Sequence, residues 1–355
     1  MWLDLLVPDQ EDRYARRPQE LVDQLATMSP APDWVVIDEV QRVPKLLSVV
    51  HHLIETRRQR FALTGSSARK IKRGGADLLA GRALVRNLFP FTSVELGSGF
   101  HLQSALTHGS LPGLQEIDSN DDRAAFLRAY ALTYLKEEIW AEQAVRKLDP
   151  FRAFLEVAAQ CNSELINYTR IARDVSVDTK TVQSYFAILA DTLLGFLLEP
   201  YHASVRKRQT QAPKFYFFDP GVKRALDRTL TVEVRPHTFA YGKSFEHWVV
   251  IEAVRRSAYL DNDFRFSYLR TKDGAEIDLV VERPGAPTAL IEIKSTESVS
   301  RDDVRMLERF RADMRHTHAY CLSLDPIAKR LGNVEALPWS KGLDAIGLDL
   351  ASLLC

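Results

Sequence analysis

The segment Trp34–Thr64 constrains the fold most, because two short apolar runs enclose one amphipathic segment. The spacing predicts a buried strand at Trp34-Val35-Val36-Ile37, a helix over Lys45–Arg58 and a second strand at Phe61-Ala62-Leu63-Thr64. Strands that alternate with helices usually pair in parallel, because the helix returns the chain to the start of the next strand. We therefore predict a parallel α/β sheet in the front part of the chain.

Charge and cysteine content limit the binding partners and the cellular compartment that we expect for the protein. Lysine plus arginine and aspartate plus glutamate each number 47, so nucleic acid would have to be bound by a local basic patch. The three cysteines lack the spacing of a zinc site or a disulfide framework, which is typical of the cytoplasm. No apolar run approaches the ~18 residues of a membrane span, and Asp4 interrupts the apolar start. We expect a soluble cytoplasmic protein without membrane contact.

The pattern of apolar residues changes twice along the chain. Its 355 residues are enough for two or three domains. Apolar residues recur every three or four positions within Phe126–Leu135 and Phe151–Ala158, which predicts helices. Strands return after about Tyr201: Lys214–Phe218, Phe264–Arg270, Glu276–Glu282 and Ala289–Lys294. The loops Thr107–Gly113 and Thr229–Thr238 are candidate boundaries.

Polar side chains follow both predicted strands of the front sheet. Asp38 and Glu39 end the first strand, and ligands of open parallel sheets bind at the carboxyl ends of the strands. There Asp38 can hold magnesium, and Glu39 can polarise a water that attacks a terminal phosphate. Thr64 ends the second predicted strand and Ser66 follows it, at a place where a hydroxyl can contact that phosphate. The alternative is that these residues only form turns where the strands leave the core.

Four segments in this part of the chain resemble, in order, a prokaryotic group of AAA-type ATPases that carry a C-terminal domain of unknown function. They are Val36–Pro44, Leu63–Arg69, Leu79–Arg82 and Leu88–Leu96. The resemblance is specific because several separate motifs occur in the family's order.

The resemblance implies roles for single residues, with ATP and magnesium as cofactors. Asp38 and Glu39 correspond to the Walker B pair of the family. Thr64 or Ser66 corresponds to its sensor. Arg82 corresponds to an arginine that reaches a phosphate, and a surface ion pair is the alternative for this side chain.

The printed sequence lacks the family's phosphate-binding loop, G-x-x-x-x-G-K-[ST]. Gly242-Lys243-Ser244 carries its last three letters, but His237 stands where the first glycine is needed. The family places the loop before the strand that Trp2–Leu6 resembles. We expect a shortened chain, a misplaced start or a lost nucleotide site, and in each case low ATP affinity and slower hydrolysis.

The middle of the chain predicts a helix-turn-helix and a wing. Tyr168–Tyr185 reads as two short helices, with Asp178 as the N-cap of the second. Phe196–Phe218 would form the two-stranded wing, with Arg206, Lys207 and Arg208 at its tip. Lys180 and this tip suit contacts with DNA phosphates and grooves. The alternative is a winged helix that serves only as a packing module.

The last third predicts a β-hairpin that carries Asp278 on one strand and Glu292 and Lys294 on the next. Glu292 and Lys294 are two residues apart and therefore share a face. Two carboxylates can hold magnesium, and the lysine can orient a water against a phosphodiester. This pattern resembles the PD-(D/E)xK nuclease core, and that resemblance makes Glu246 the upstream helical acid. A plain surface ion pair is the alternative for the Glu-x-Lys pattern.

These interpretations combine into one α/β architecture. Residues 1–110 would be a truncated P-loop ATPase core, residues 111–228 a helical and winged-helix region, and residues 229–355 a restriction-endonuclease-like mixed α/β domain. The function expected is that of an AAA-family ATPase-type protein whose last domain binds or cuts DNA with magnesium. The alternative is a non-catalytic assembly protein built on the same folds. DNA and a second copy of the chain are the expected partners.

Overall fold

The computed structural model describes residues 1–65, 81–134, 148–202 and 211–354, and its contacts divide the chain into two units, Met1–Val85 and Arg86–Cys355. Ser66, Arg206, Lys207 and Arg208 of the predicted sites lie outside the described residues. Among the described helices, none combines the length and the apolar character that crossing a membrane requires.

The first unit is built on a three-stranded sheet in the order β1-β2-β3. Its strands are β1 (Trp2–Asp4), β2 (Trp34–Asp38) and β3 (Arg60–Leu63), and its helices are α1 (Pro8–Arg16), α2 (Glu20–Thr27) and α3 (Leu46–Arg57). Both strand pairs are parallel, so the predicted parallel sheet is confirmed. Val35 and Ile37 are fully buried and join the apolar side chains of α3 in one core.

The second unit begins with helices. They are α4 (Ser93–Leu96), α5 (Leu102–His108), α6 (Asn120–Ala129), α7 (Leu148–Gln160), α8 (Tyr168–Asp174), α9 (Thr179–Asp191) and α10 (Pro220–Leu226). Asp178 caps α9 by accepting a hydrogen bond from the N–H of Thr181 at 2.9 Å, because the first amides of a helix have no partner within it. The helices enclose a core rich in aromatic rings, in which Phe154 lies edge-on to Phe186.

The second unit continues into an eight-stranded mixed sheet in the order β10-β11-β9-β8-β7-β6-β4-β5. The strands are β4 (Gly195–Pro200), β5 (Lys214–Phe217), β6 (Arg265–Arg270), β7 (Glu276–Glu282), β8 (Thr288–Lys294), β9 (Thr317–Ser323), β10 (Lys329–Leu331) and β11 (Val334–Pro338). The antiparallel pair β4–β5 joins the sheet because β4 also pairs with β6 in parallel. The hairpin predicted as a wing therefore forms one edge of this sheet.

Helices cover both faces of the sheet. They are α11 (Phe239–Tyr259), α12 (Arg301–Asp313) and α13 (Trp339–Ala345), and a short helix α14 (Ala351–Leu354) follows them in the chain. Ala289, Ile291 and Ile293 of β8 share a core with α11, whereas Leu290 lies in a core with α12. This alternation follows from the two-residue period of a strand. It leaves Glu292 and Lys294 on the same face of β8 as Leu290.

Buried polar contacts attach the segment 86–111 to α11. Glu252 is 0% exposed and accepts hydrogen bonds from the N–H and hydroxyl of Ser93 at 3.0 and 2.6 Å. Arg256 donates to Glu252 at 3.0 Å and to Asp344 at 2.8 Å. Arg255 donates to the carbonyl of Phe91 at 3.1 Å. Each buried charge thus has a hydrogen-bonded partner, as the low-dielectric interior requires.

Candidate functional site

Polar groups meet at the carboxyl edge of the three-stranded sheet. The register pairs Asp4 of β1 with Asp38 of β2, and Thr64 follows β3. The hydroxyl of Thr64 donates to the Asp38 carboxylate, and the N–H of Thr64 donates to the carbonyl of Ile37 at 2.9 Å. The structure therefore brings Asp38 and Thr64 together at the strand ends.

Glu39 adopts the left-handed backbone conformation, with φ 56°, directly after β2. Its N–H donates to the hydroxyl of Thr64 at 3.3 Å, and its carboxylate accepts from the amide of Gln41 at 2.5 Å. Few residues other than glycine occupy this region of φ, because the Cβ crowds the backbone. The turn directs the chain away from the sheet immediately after the two predicted acids.

Arg82 forms an ion pair with Glu55 of α3. The hydrogen bond from Arg82 and its positive charge hold the pKa of Glu55 below the usual value. Both side chains are partly exposed, and ion pairs of this kind contribute little to stability. This contact corresponds to the surface ion pair that was the alternative for Arg82.

A second group of polar residues lies where β7 and β8 pair in the larger sheet. The strand register aligns Leu279 with Ile291, and one more step along the two strands brings Asp278 opposite Glu292. Asp278 accepts a hydrogen bond from the N–H of Ile293 at 2.8 Å, and Lys294 Nζ lies 2.6 Å from Glu292 Oε1. Three residues predicted to form one site are thus neighbours.

Glu246 reaches the same group from α11. It is 6% exposed, and Oε1 accepts from the hydroxyl of Tyr216 at 2.8 Å. Lys243 Nζ lies 3.2 Å from its Oε2, and Lys214 Nζ lies 3.7 Å from its Oε1. Lys214 also pairs with Glu276 at the start of β7. Glu246 therefore sits among three donors.

A cavity of about 540 Å³ opens at this cluster. Its walls include Lys243 and Glu246 of α11, Asp278 of β7, Lys294 of β8 and Asp303 of α12. Glu292 is not among the lining residues, but it forms an ion pair with Lys294, which is. A volume of this size is typical of small-ligand sites, at ~300–1,000 Å³.

The charges in the cluster shift the pKa values of its members. Burial raises the pKa of Asp278 well above the usual value, and the carboxylates of Glu292 and Glu246 raise it further. Burial also raises the pKa of Glu292, although Lys294 opposes the shift. Burial alone would lower the pKa of Lys294, but the carboxylate of Glu292 holds it above the usual value. The cluster thus combines carboxyl groups that resist ionisation with a lysine that stays charged.

Sequence reasoning missed Lys214, Tyr216 and Lys243. Lys214 is 2% exposed and is the first residue of the aromatic strand Lys-Phe-Tyr-Phe. A single charged residue in such an apolar strand is the sequence feature that could have indicated a buried ion pair. Tyr216 gave no separate signal because its strand is aromatic throughout. Lys243 was considered only as part of an incomplete phosphate loop, whereas it lies within α11 and pairs with Glu164 and Glu246.

The cluster offers few protein ligands for a magnesium ion, and magnesium requires few. Within the described ranges, no three His, Cys, Asp or Glu side chains are placed to hold a metal ion together. Magnesium needs only one or two carboxylates, because water and phosphate oxygens complete its shell. Asp278 and Glu292 provide two, and Glu246 adds to the negative charge that raises the pKa of Asp278. A divalent cation would offset the repulsion among these groups.

The predicted DNA-contact residues are only partly described. Lys180 is exposed on the first turn of α9, whereas Arg206, Lys207 and Arg208 lie outside the described residues. The two helices α8 and α9 and the strands β4 and β5 occur where the helix-turn-helix and the wing were predicted.

Three family models match consecutive stretches of the chain. An AAA domain matches residues 3–97, the domain of unknown function DUF8612 matches residues 99–233, and the domain of unknown function DUF4143 matches residues 241–341. The chain therefore carries an AAA domain in its front part and a DUF4143 domain in its last part, which confirms the predicted resemblance at that level.

Two curated relatives are similar over most of the chain. Uncharacterized protein Rv2008c of Mycobacterium tuberculosis and uncharacterized protein Mb2031c of Mycobacterium bovis are each 32% identical over 289 residues, which is 79% of this chain. The aligned part spans 63% of the length of each relative. No solved structure matches the chain significantly.

Proposed function

We propose that the chain is an AAA-family ATPase-type protein whose last domain cuts or binds DNA with magnesium through Asp278, Glu292, Lys294 and Glu246. The observation that carries the proposal is the convergence of Glu246 from helix α11 and of Asp278 and Lys294 from the hairpin β7–β8 around one cavity. A surface ion pair would explain the contact between Lys294 and Glu292. It would not explain Asp278, which is a half-buried carboxyl group with acidic neighbours.

Each member of the cluster has a distinct task in this proposal. Asp278 and Glu292 would hold magnesium, which when bound polarises a phosphodiester and acidifies a water. Lys294 stays protonated because its pKa is raised, so it acts as a positive charge that stabilises the phosphate and not as a general base. Tyr216 and Lys243 keep Glu246 fixed beside the cavity by hydrogen bonds of 2.8 and 3.2 Å.

A plasmid-nicking assay with magnesium tests the nuclease part. We expect Asp278→Asn and Lys294→Gln each to reduce cleavage by about 10²–10³-fold. Glu335→Gln is the matched control, because Glu335 is an exposed carboxylate on β11 of the same sheet, and it should cleave like the unchanged chain. Cleavage that persists in Asp278→Asn would exclude this cluster as the site.

The strand ends of the first unit support the ATPase-type part of the proposal. Asp38 and Thr64 offer a carboxylate and a hydroxyl in contact, and such oxygens suit a magnesium ion that also binds phosphate. Glu39 would polarise the attacking water, and Ser66 and Arg82 remain predicted contacts of the nucleotide. The low affinity for ATP that we expect from the sequence also remains a prediction.

Titration with a fluorescent ATP analogue tests the nucleotide site. Asp38→Asn should weaken the magnesium-dependent part of binding, whereas Asp23→Asn on α2 should leave it unchanged. Equal binding by the unchanged chain and Asp38→Asn, with and without magnesium, would contradict the assignment.

The second candidate function is a non-catalytic assembly protein. It is favoured by the extensive pairing within the cluster, where Lys214, Lys243 and Lys294 each already contact a carboxylate. In this case the winged-helix-like segment around Lys180 would bind DNA, or a second copy of the chain, without cleavage. Absence of cleavage by the unchanged chain with both magnesium and manganese, together with salt-dependent DNA retention, supports this candidate.

A further inference from the structure

A separate cavity of about 760 Å³ lies in the second unit and shares no lining residue with the cavity at Asp278. Its walls are α5, the start of α6, the loop after α4 and the segment 230–234. Hydrogen bonds fix these walls, because Gln103 donates to the carbonyl of Val234 at 2.7 Å and Arg224 donates to those of Thr229 and Val232 at 2.5 Å each. The cavity is thus a built feature of the fold.

Two guanidinium groups beside this cavity form no ion pair within the described part of the chain. Arg123 lines it and donates to the carbonyl of Ile117 at 2.6 Å and to the hydroxyl of Ser104 at 3.1 Å, both neutral acceptors. Arg224 is 7% exposed, supports the wall from behind, and bonds only neutral carbonyls. Neither forms an ion pair with another described residue. A buried charge without a partner is unfavourable, so an anion here would be stabilised.

His108 is a third unsatisfied group at the cavity. It lines the wall, is 6% exposed, and its buried Nδ1 has no hydrogen-bond partner within the described part of the chain. Burial lowers the pKa of His108, and the positive charges of Arg123 and Arg224 lower it further. Burial and the two guanidinium groups thus both favour the neutral form of the ring.

The remaining lining defines what kind of anion fits. Arg128 is exposed at the cavity and adds a third cation, whereas Asp121 and Glu233 also line it and Glu233 is paired with Arg235 at 2.7 Å. Another part of the wall is polar and includes Gln103, Ser104, Thr107 and Asn120. Apolar side chains form a third part: Leu96, Phe100, Leu114, Leu230, Val232 and Val234.

We propose that this cavity binds a small organic phosphate, with Arg123 and Arg128 holding the phosphate and the apolar wall covering the organic part. A phosphate, with up to two negative charges, compensates the guanidinium groups better than a single carboxylate does. The site is independent of the carboxylate–lysine cluster and of any nuclease activity.

Titration of the full chain with phenyl phosphate and with inorganic phosphate tests this site. The chain is labelled with ¹³C at histidine Cε1, and His108→Asn identifies the resonance of His108. We expect phenyl phosphate to shift that resonance and to release heat of binding in calorimetry, with higher affinity than inorganic phosphate. Arg128→Gln should weaken binding by about tenfold or more, since it removes one charged contact.

Arg152→Gln is the matched control, because Arg152 is exposed on α7 and does not line the cavity, and it should bind like the unchanged chain. Arg123→Gln should abolish binding while circular dichroism shows a folded protein. A His108 resonance that does not respond, or unchanged affinity in Arg128→Gln and Arg123→Gln, would overturn the proposal. Equal affinity for the two phosphates would overturn its organic part.

Discussion

The carboxyl group of Asp278 lies among other acids, and burial followed by the charges of Glu292 and Glu246 raises its pKa. A carboxyl group whose pKa is higher in the folded than in the unfolded chain favours folding while it is protonated. This contribution to stability is fully present below the ordinary pKa of aspartate, ~3.9. It is lost as the pH rises toward the pKa that Asp278 has in the folded chain. At neutral pH Asp278 therefore opposes folding.

We expect Asp278→Asn to increase the free energy of unfolding at pH 7 by about 0.5–2 kcal/mol, as is common where a functional group is removed. The asparagine keeps an acceptor for the N–H of Ile293. Urea denaturation at pH 7 and pH 4 measures the effect, and the gain should shrink at the lower pH. Glu335→Gln should change stability at neither pH. A less stable Asp278→Asn chain at pH 7 would contradict this account.

Single residues of the cluster were predictable only where a short motif marks them. Glu292 and Lys294 are two apart on one strand, and Asp278 lies on its hairpin partner, so local geometry sufficed. Lys214 contacts Glu246 and Glu276 only because β5 folds beside β4 at the sheet edge. No local pattern encodes that long-range pairing.

At the scale of elements, α11 holds the segment 86–111 through Glu252, Arg255 and Arg256. Periodicity predicted α3, α8 and α9 closely, because each has an apolar stripe or a cap. It could not predict this irregular segment, whose position depends on buried polar contacts and not on an apolar pattern.

We expect Glu252→Ala to lower the free energy of unfolding by about 3–5 kcal/mol, because it leaves Arg256 buried without one of its carboxylates. Equilibrium denaturation followed by far-UV circular dichroism measures the loss. Glu335→Ala, which removes an exposed carboxylate, should change stability by less than about 0.5 kcal/mol. A similar small effect for Glu252→Ala would show that this network does not hold the segment.

The whole molecule consists of two units that each contain a core of their own. Leu53 lies in the core of the first unit and Leu290 in a core of the second, and both are 0% exposed. The AAA domain model extends to residue 97, whereas contacts assign residues 86–97 to the second unit. The sequence pattern alone could not predict to which unit residues 86–97 belong, because they resemble the ATPase family and yet form hydrogen bonds with α11.

Calorimetry should therefore show two unfolding transitions. Leu53→Ala and Leu290→Ala each remove a fully buried side chain of the same type, which destabilises by about 2–5 kcal/mol. We expect Leu53→Ala to lower one transition and Leu290→Ala to lower the other. A single transition that both substitutions lower equally would mean that the two units unfold as one.

The position of Lys214 and Tyr216 has a consequence for how relatives of this chain exchange parts. Both residues lie within the stretch matched by DUF8612, whereas Glu246 and Glu276, which they contact, lie within the stretch matched by DUF4143. A chain that carried one stretch without the other would lose the ion pair between Lys214 and Glu276 and the hydrogen bond from Tyr216 to Glu246. The two stretches are therefore expected to be inherited as one piece, since each supplies partners for buried polar groups of the other.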